Sequence, residues 1–349
     1  MLHTTSNKLD KILNYIKRRT HVVRLFFVFT FDKILIKMIQ PDFLKEGDKI
    51  AIVAPAKRML KGELDEAIEL IKSWKLIPVL GKNIYAEYDF GYKYAGTDEL
   101  RIEDFQWALD DAEIKAIWCA RGGYGSVKII DELDLTKFKK SPKWIIGYSD
   151  ITVFHNHFNR LGFQTIHGVT AKKLANTEYH LTSYQSIYDT LFGKKIEYKI
   201  VPHFYNNLGE TEGELIGGNL SIVYSLLGSI SAINNPSDKI LFLEDWFENW
   251  YAVDRMLMNL KRNGILTQVK AIILGNFTHM DTEEENAEHY NNSYDPKTYE
   301  VIHSYTEKLD IPVVFGFPAG HTGHNFALKM GAKVNLNVTS NNVNLYFID

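Results

Sequence analysis

Three residues of this sequence are of the types that together make a hydroxyl nucleophilic: Ser149, Glu244 and His321. Each stands at or just beyond the end of a short apolar run. Ligands of parallel α/β sheets bind past the carboxyl ends of the strands. In such a set the imidazole takes the serine proton, and the carboxylate fixes the imidazole tautomer and stabilises it once charged. Ser149 is the clearest of the three. The run Lys143-Trp-Ile-Ile-Gly147 leads into Tyr148-Ser149-Asp150, and a helical pattern, Ile151 to Arg160, follows at once. That reads as strand, sharp turn, helix. A serine there is lifted clear of the sheet and sits at a helix N-terminus, where backbone N–H groups stabilise developing negative charge.

Each residue also has a plainer reading. Ser149 or Asp150 serves as an N-cap. Glu244 with Asp245 starts a loop or caps a helix, and His321 is an ordinary loop histidine. His321-Thr-Gly-His324 has the spacing of a metal pair, but no third ligand accompanies it. The glycine-rich turn Arg121-Gly-Gly-Tyr-Gly125 follows another apolar run. It lacks the Gly-Lys-Ser/Thr end of a P-loop and the spacing of a dinucleotide fingerprint. Its use is close backbone approach to a substrate: the N–H groups of Gly123 and Asp150 are candidates for an oxyanion hole. Arg121 is a candidate clamp for a carboxylate, since a guanidinium grips one with two parallel bonds; a structural ion pair is the other reading. Tyr124 is a candidate substrate contact. The hydrolase elbow with Gly two residues after the serine is not matched, because Ile151 stands there.

The elements that must position these residues alternate. Strands are expected at Lys49–Pro55, Ile77–Leu80, Ile114–Ala120, Trp144–Gly147 and Gln164–Ile166, and helices at Leu64–Trp74, Leu100–Asp111, Val127–Leu133 and Ile151–Arg160. Such alternation predicts an α/β fold with a parallel sheet covered on both faces. From about Asn176 to Gly209 the pattern loosens and reads as a connection. A second unit follows, with helices at Leu220–Leu227 and Tyr251–Arg262. Its strands are expected at Lys239–Leu243, Val269–Leu274 and Ile311–Phe315, and the β-rich end at Lys333–Val338 and Val343–Ile348. The expected organisation is a leader (1–38), an N-terminal α/β domain with the serine (39–175), a linker (176–209) and a C-terminal α/β domain with Glu244 and His321 (210–349). Asp281–Asp295 reads as an acidic surface loop.

The chain of 349 residues is long enough for two domains. A net charge of -3 and the lack of a basic stripe with interleaved aromatics argue against nucleic-acid binding. The single cysteine, Cys119, lies in an apolar run and reads as a buried structural thiol. The segment Val22–Phe31 is too short and too charged to span a bilayer. Met38 is the expected natural start, the residues before it being a mis-assigned extension; a membrane-surface anchor is the other reading.

Six segments, taken in order, resemble the serine LD-carboxypeptidases: Ala120-Arg-Gly-Gly-Tyr-Gly125, Gly147-Tyr-Ser-Asp150, Thr165-Ile-His-Gly168, Gly217-Gly-Asn219, Leu243-Glu-Asp245 with Asp254-Arg255, and Gly316-Phe-Pro-Ala-Gly-His321. That family includes cytoplasmic murein tetrapeptide carboxypeptidases and the microcin C self-immunity peptidases. The resemblance runs from about Asp48 to Val338. It implies Ser149 as nucleophile, Glu244 as triad carboxylate, His321 as general base, and the N–H groups of Gly123 and Asp150 as oxyanion hole. It further implies a site at the junction of two domains, a homodimer, no metal and no cofactor. The implied reaction is release of a terminal D-amino acid, D-Ala, from a murein tetrapeptide in the cytoplasm during peptidoglycan recycling. The implied partner is a small muropeptide, with no nucleic acid and no integral membrane association. The rival readings are a peptidyl-nucleotide amide hydrolase, which Trp246, Trp250 and Tyr251 would favour by stacking a base although their helix-like spacing also reads as core, and a catalytically silent peptide-binding protein. One departure stands out: the family's Leu-Pro-X-Gly is here Leu328-Lys-Met-Gly331.

Overall fold

A computed structural model of the chain describes residues 38–172, 180–281 and 295–348. The leader and most of the acidic loop therefore lie outside the described residues. The elements in chain order are β1 (Lys49–Val53), α1 (Asp65–Ser73), β2 (Ile77–Leu80), β3 (Tyr88–Asp89), β4 (Lys93–Tyr94), α2 (Asp98–Asp110), β5 (Ile114–Cys119), β6 (Trp144–Gly147), α3 (Thr152–Arg160) and β7 (Thr165–His167). There follow α4 (His180–Leu191), β8 (Glu197–Ile200), β9 (Gly209–Asn219), α5 (Leu220–Ser225), β10 (Lys239–Trp246), α6 (Trp250–Arg262), α7 (Ile265–Gln268) and β11 (Ala271–Thr278). The chain closes with α8 (Pro296–Thr306), β12 (Val313–Val314), β13 (Leu328–Met330), β14 (Lys333–Val338) and β15 (Val343–Phe347).

The first sheet has the order β13-β7-β6-β5-β1-β2, parallel except for β13. Its central strands are continuous apolar runs because both faces are covered. Ile50 and Ile52 face one buried cluster with α1 and α4, while Ala51 and Val53 face another with α2 and α3. Cys119 is buried among them, and burial pushes its thiol pKa up. The second sheet has the order β12-β11-β10-β9-β14-β15-β8, its first four strands parallel and its last three antiparallel. Helices α5 to α8 cover one face.

The structure differs from the sequence reading in several places. Residues 176–209, read as a connection, include α4 and β8, and β8 closes the edge of the second sheet. The long strand β9 was not expected, because Glu210, Glu212 and Glu214 make its first half look like a loop. Two of those acids are neutralised by lysines on flanking strands, Glu212 by Lys333 at 2.6 Å and Glu214 by Lys239. The helix expected at Val127–Leu133 is two single 3₁₀ turns. Leu328–Met330 pairs with β7 despite its missing proline, with Lys329 opposite Ile166. Among the described residues no helix is long and apolar enough to cross a membrane.

Buried Arg101 on α2 ties two site loops together. Its guanidinium donates to Pro55 O at 2.6 Å and Gly125 O at 2.9 Å, and pairs with Asp98. Arg101→Met leaves both carbonyls without their donor. It is expected to lower unfolding stability by about 3 kcal/mol, measured by urea titration.

Candidate active site

The backbone at Ser149 is the first unusual feature. Its φ is +62°, a left-handed value rare for a residue with a Cβ. Tyr148 before it is extended, and a 3₁₀ turn, Ser149–Ile151, runs into α3. The chain thus turns sharply between β6 and α3 and presents the serine at the carboxyl edge of the sheet. Strain of this kind costs about 1–3 kcal/mol and persists only where the surroundings over-determine it. The surroundings here are specific. His155 on α3 lies 2.8 Å through Nε2 from Gly147 O and 2.9 Å through Nδ1 from Thr165 Oγ1, which fixes the end of β6. Gly122 faces the serine so closely that a Cβ there would lie 2.8 Å from Ser149 Cβ. Among the described residues the N–H groups of Gly123 and Asp150 meet no protein acceptor. The Asp150 carboxylate itself is buried behind the turn and accepts the Ser126 N–H at 2.8 Å; burial raises its pKa to about 6.

Glu244 and His321 come together 77 residues apart in sequence: Glu244 Oε2 lies 2.7 Å from His321 Nδ1. Glu244 is fully buried and His321 is 6% exposed. Glu244 lies within β10, not beyond its end, and a bulge in β11 at Gly275–Asn276 sits beside it. Thr278 Oγ1 donates to His321 O at 2.8 Å, and Asn325 Oδ1 accepts the Gly320 N–H at 3.0 Å, so the histidine loop is held from both sides. Two rings flank the imidazole: Tyr148 at 4.7 Å and Trp246, stacked, at 5.7 Å between centroids. The imidazole therefore rests on the residue next to Ser149. The serine hydroxyl and imidazole are not hydrogen-bonded here; such bonds are often loose until substrate binds. His324 turns instead towards Thr182, 3.3 Å away. Among the described residues no group of three or more His, Cys, Asp or Glu side chains is arranged to hold a metal ion.

Residues not singled out from sequence join the two halves. Asn219, at the end of β9, donates its backbone N–H to Thr152 Oγ1 at 3.0 Å and its side-chain N–H to Asp245 Oδ1 at 2.8 Å, while its side-chain Oδ1 accepts the Ile222 N–H at 3.2 Å. Asp245 also accepts the Ser221 N–H, and its burial raises its pKa to about 7. The sequence signals for this bridge are the segments Gly217-Gly-Asn219 and Leu243-Glu-Asp245, neither of which by itself says that the two meet. Trp246 walls the site, whereas Trp250 bonds Asp295 at 3.2 Å and Tyr251 is exposed.

The profile of the LD-carboxypeptidase N-terminal domain matches residues 50–168, and that of the C-terminal domain matches residues 212–336. The chain is 31% identical to a murein tetrapeptide carboxypeptidase of Pseudomonas aeruginosa, covering 81% of this chain and 91% of that one. This chain belongs to the LD-carboxypeptidase family. A probable murein peptide carboxypeptidase of Bacillus subtilis is 33% identical, with 85% and 91% covered. The crystal structure of a muramoyltetrapeptide carboxypeptidase from Oxalobacter formigenes superposes with a TM-score of 0.74 at 28% identity, covering 86% of this chain and 99% of that one. The protein is thus a serine carboxypeptidase.

Two outcomes follow from the geometry of the turn. Gly122→Ala pushes the serine off its position and is expected to lower kcat about 100-fold with the fold intact, read by steady-state kinetics and circular dichroism. Burial holds the His155 pKa down at about 4, below the 6.5 of an exposed imidazole. Between those values the unfolded chain binds a proton that the native state refuses, so stability rises with pH through this window and is lost on acidification. The His155 contribution is about 3 kcal/mol between pH 6.5 and 4. His155→Gln should flatten that part of the slope in urea titrations at a series of pH values.

Proposed function

We propose that the enzyme hydrolyses the bond between an L-centre and the terminal D-Ala of a murein tetrapeptide. Ser149 attacks the scissile carbonyl and passes its proton to His321. The oxyanion forms against the N–H groups of Gly123 and Asp150. His321 then gives the proton to the leaving amine of D-Ala, and water repeats the sequence on the acyl-enzyme. Glu244 keeps Nδ1–H of His321 pointed at itself, which leaves Nε2 free to act as base, and it stabilises the imidazolium. The observation that carries this reading is the buried 2.7 Å Glu244–His321 pair, packed on Tyr148 beside a serine held at φ +62°.

Arg121 is the proposed clamp for the substrate carboxylate. Half-buried, it forms no ion pair among the described residues, which favours the clamp over a structural role. Tyr124, 46% exposed on the same loop, is a proposed substrate contact. In this reading an N-terminal domain (39–175) carries Ser149, a C-terminal domain (210–349) carries Glu244 and His321, and the reaction takes place where they meet. A homodimer acting in the cytoplasm during peptidoglycan recycling completes the reading.

The test is release of D-Ala from murein tetrapeptide, followed by mass spectrometry. Ser149→Ala should abolish release. Glu244→Gln should lower kcat about 10⁴-fold, because the wrong tautomer of His321 then dominates. Equal release by the native enzyme and Ser149→Ala would remove the serine from the mechanism.

A further inference from the structure

We infer that the buried carboxylate of Asp150 is a positioning residue for the oxyanion hole: it holds the loop that carries the Gly123 N–H against the turn that carries its own. This rests on the reading of those two N–H groups as the oxyanion donors. They stand on different loops, one after β5 and one after β6, so their spacing must be fixed from outside each loop. Such donors help only when they are aimed before charge develops. The glycine loop cannot set its own shape. Gly123 and Gly125 have φ of +110° and +149°, values open to glycine, so the backbone there is decided by external ties. Its start is tied to the loop after β1, where the Lys57 N–H donates to Gly122 O at 3.3 Å. Its end is tied by two shorter bonds.

The peptide group between Gly125 and Ser126 is gripped on both sides. Arg101 donates to its carbonyl oxygen at 2.9 Å, and Asp150 Oδ2 accepts its N–H at 2.8 Å. Arg101, Ser126 and Asp150 are 2%, 0% and 1% exposed, so water weakens neither bond. Two opposite charges thus hold one peptide from its two ends, and hydrogen bonds to charged groups are the stronger kind. An N-cap role for Asp150 does not fit, because neither the 3₁₀ turn at Ser149 nor α3 is capped by a side chain. Keeping a carboxylate here is costly: burial raises its pKa to about 6 although the Ser126 N–H and the Arg101 charge pull it down. That cost falls on the residue next to Ser149, and its side chain reaches from the serine's turn to the glycine loop. Gly122 on that loop already packs against the serine, since a Cβ there would lie 2.8 Å from Ser149 Cβ. The carboxylate therefore closes a frame in which the serine and both donors are members.

The test substitutes the side chain and leaves the Asp150 N–H in place. Asp150→Ala and Asp150→Asn are compared with the native enzyme at a pH well above the Asp150 pKa of about 6. The substrate is murein tetrapeptide. The inhibitors are the tripeptide left after D-Ala is lost and the same tripeptide ending in an aldehyde. Ser149 adds to the aldehyde carbon, which puts its oxygen where the oxyanion forms; the tripeptide makes no such adduct. Asp150→Ala is expected to lower kcat about 100-fold with KM within about threefold. It should weaken the aldehyde about 100-fold and the tripeptide less than about threefold. Asp150→Asn keeps an acceptor for the Ser126 N–H and should recover at least about tenfold of the lost kcat. Equal weakening of both inhibitors by Asp150→Ala, an unchanged kcat, or no recovery in Asp150→Asn would overturn the proposal. If Asp150→Ala does not fold by circular dichroism, Asp150→Leu, of similar shape and without an acceptor, takes its place. Failure of both to fold makes the carboxylate a purely structural tie and overturns the proposal. A native enzyme that binds aldehyde and tripeptide alike refutes the oxyanion reading and the proposal with it. One that prefers the aldehyde but releases no D-Ala refutes the choice of substrate only, and the inhibitor comparison still decides the role of Asp150.

Discussion

The close docking of α3 on the glycine end of β9 is the contact on which the rest of the site depends. Ser149 leads into α3, and Glu244 lies on the strand next to β9, so this junction sets where nucleophile and base stand relative to each other. Gly218 permits the approach, since a Cβ there would lie 2.5 Å from Thr152 Oγ1. Thr152, Asn219 and Asp245 then form one chain of hydrogen bonds from the serine's helix to the acid's strand. Asn156 adds a bond to Gly217 O at 3.0 Å. The same docking explains the composition of α3. His155, Asn156 and His157 are buried on a helix otherwise packed with Val153, Phe154 and Phe158. Each polar side chain has a partner, His157 meeting Ser231 Oγ at 2.8 Å, so their burial does not cost the penalty of unmade bonds.

Strand parity decides which of two adjacent acids meets the histidine. Along β10, Leu241 and Leu243 face the helices of the second sheet, while Ile240 and Phe242 face the opposite cluster. Side chains alternate with a period of two. Glu244 therefore points with Phe242 towards His321, and Asp245 points with Leu243 towards Asn219 and the start of α5. A one-residue slip would exchange them. The β11 bulge re-aims the backbone at that level, a common device beside active sites. Burying a Glu–His pair is costly on its own, and the hydrogen bonds holding the histidine loop at Thr278 and Asn325 keep the geometry that repays it.

The alternating elements were legible in the sequence because β1, β5 and β6 are apolar runs bounded by turn residues, and the Ser149 turn was legible because the run ends in Gly147 and a helical pattern begins at once. The polar first half of β9 was not legible, because its acids are balanced by Lys239 and Lys333 from other strands. Nor was β13: three residues carry no period, and their strand exists through pairing with β7.

By itself the sequence determined the chemistry on offer: a serine at a strand–turn–helix, acids and a histidine at strand ends, and six segments whose order resembles one family. Hydrophobic periodicity and turn residues are local properties, so the chain encodes them locally. Tertiary structure alone decided that Glu244 and His321 meet at 2.7 Å, that Asp245 serves the inter-sheet bridge instead, and that Lys57 lies beside Gly123. Those outcomes depend on register, on close approach at glycines and on contacts between residues far apart in the chain, none of which a local pattern specifies.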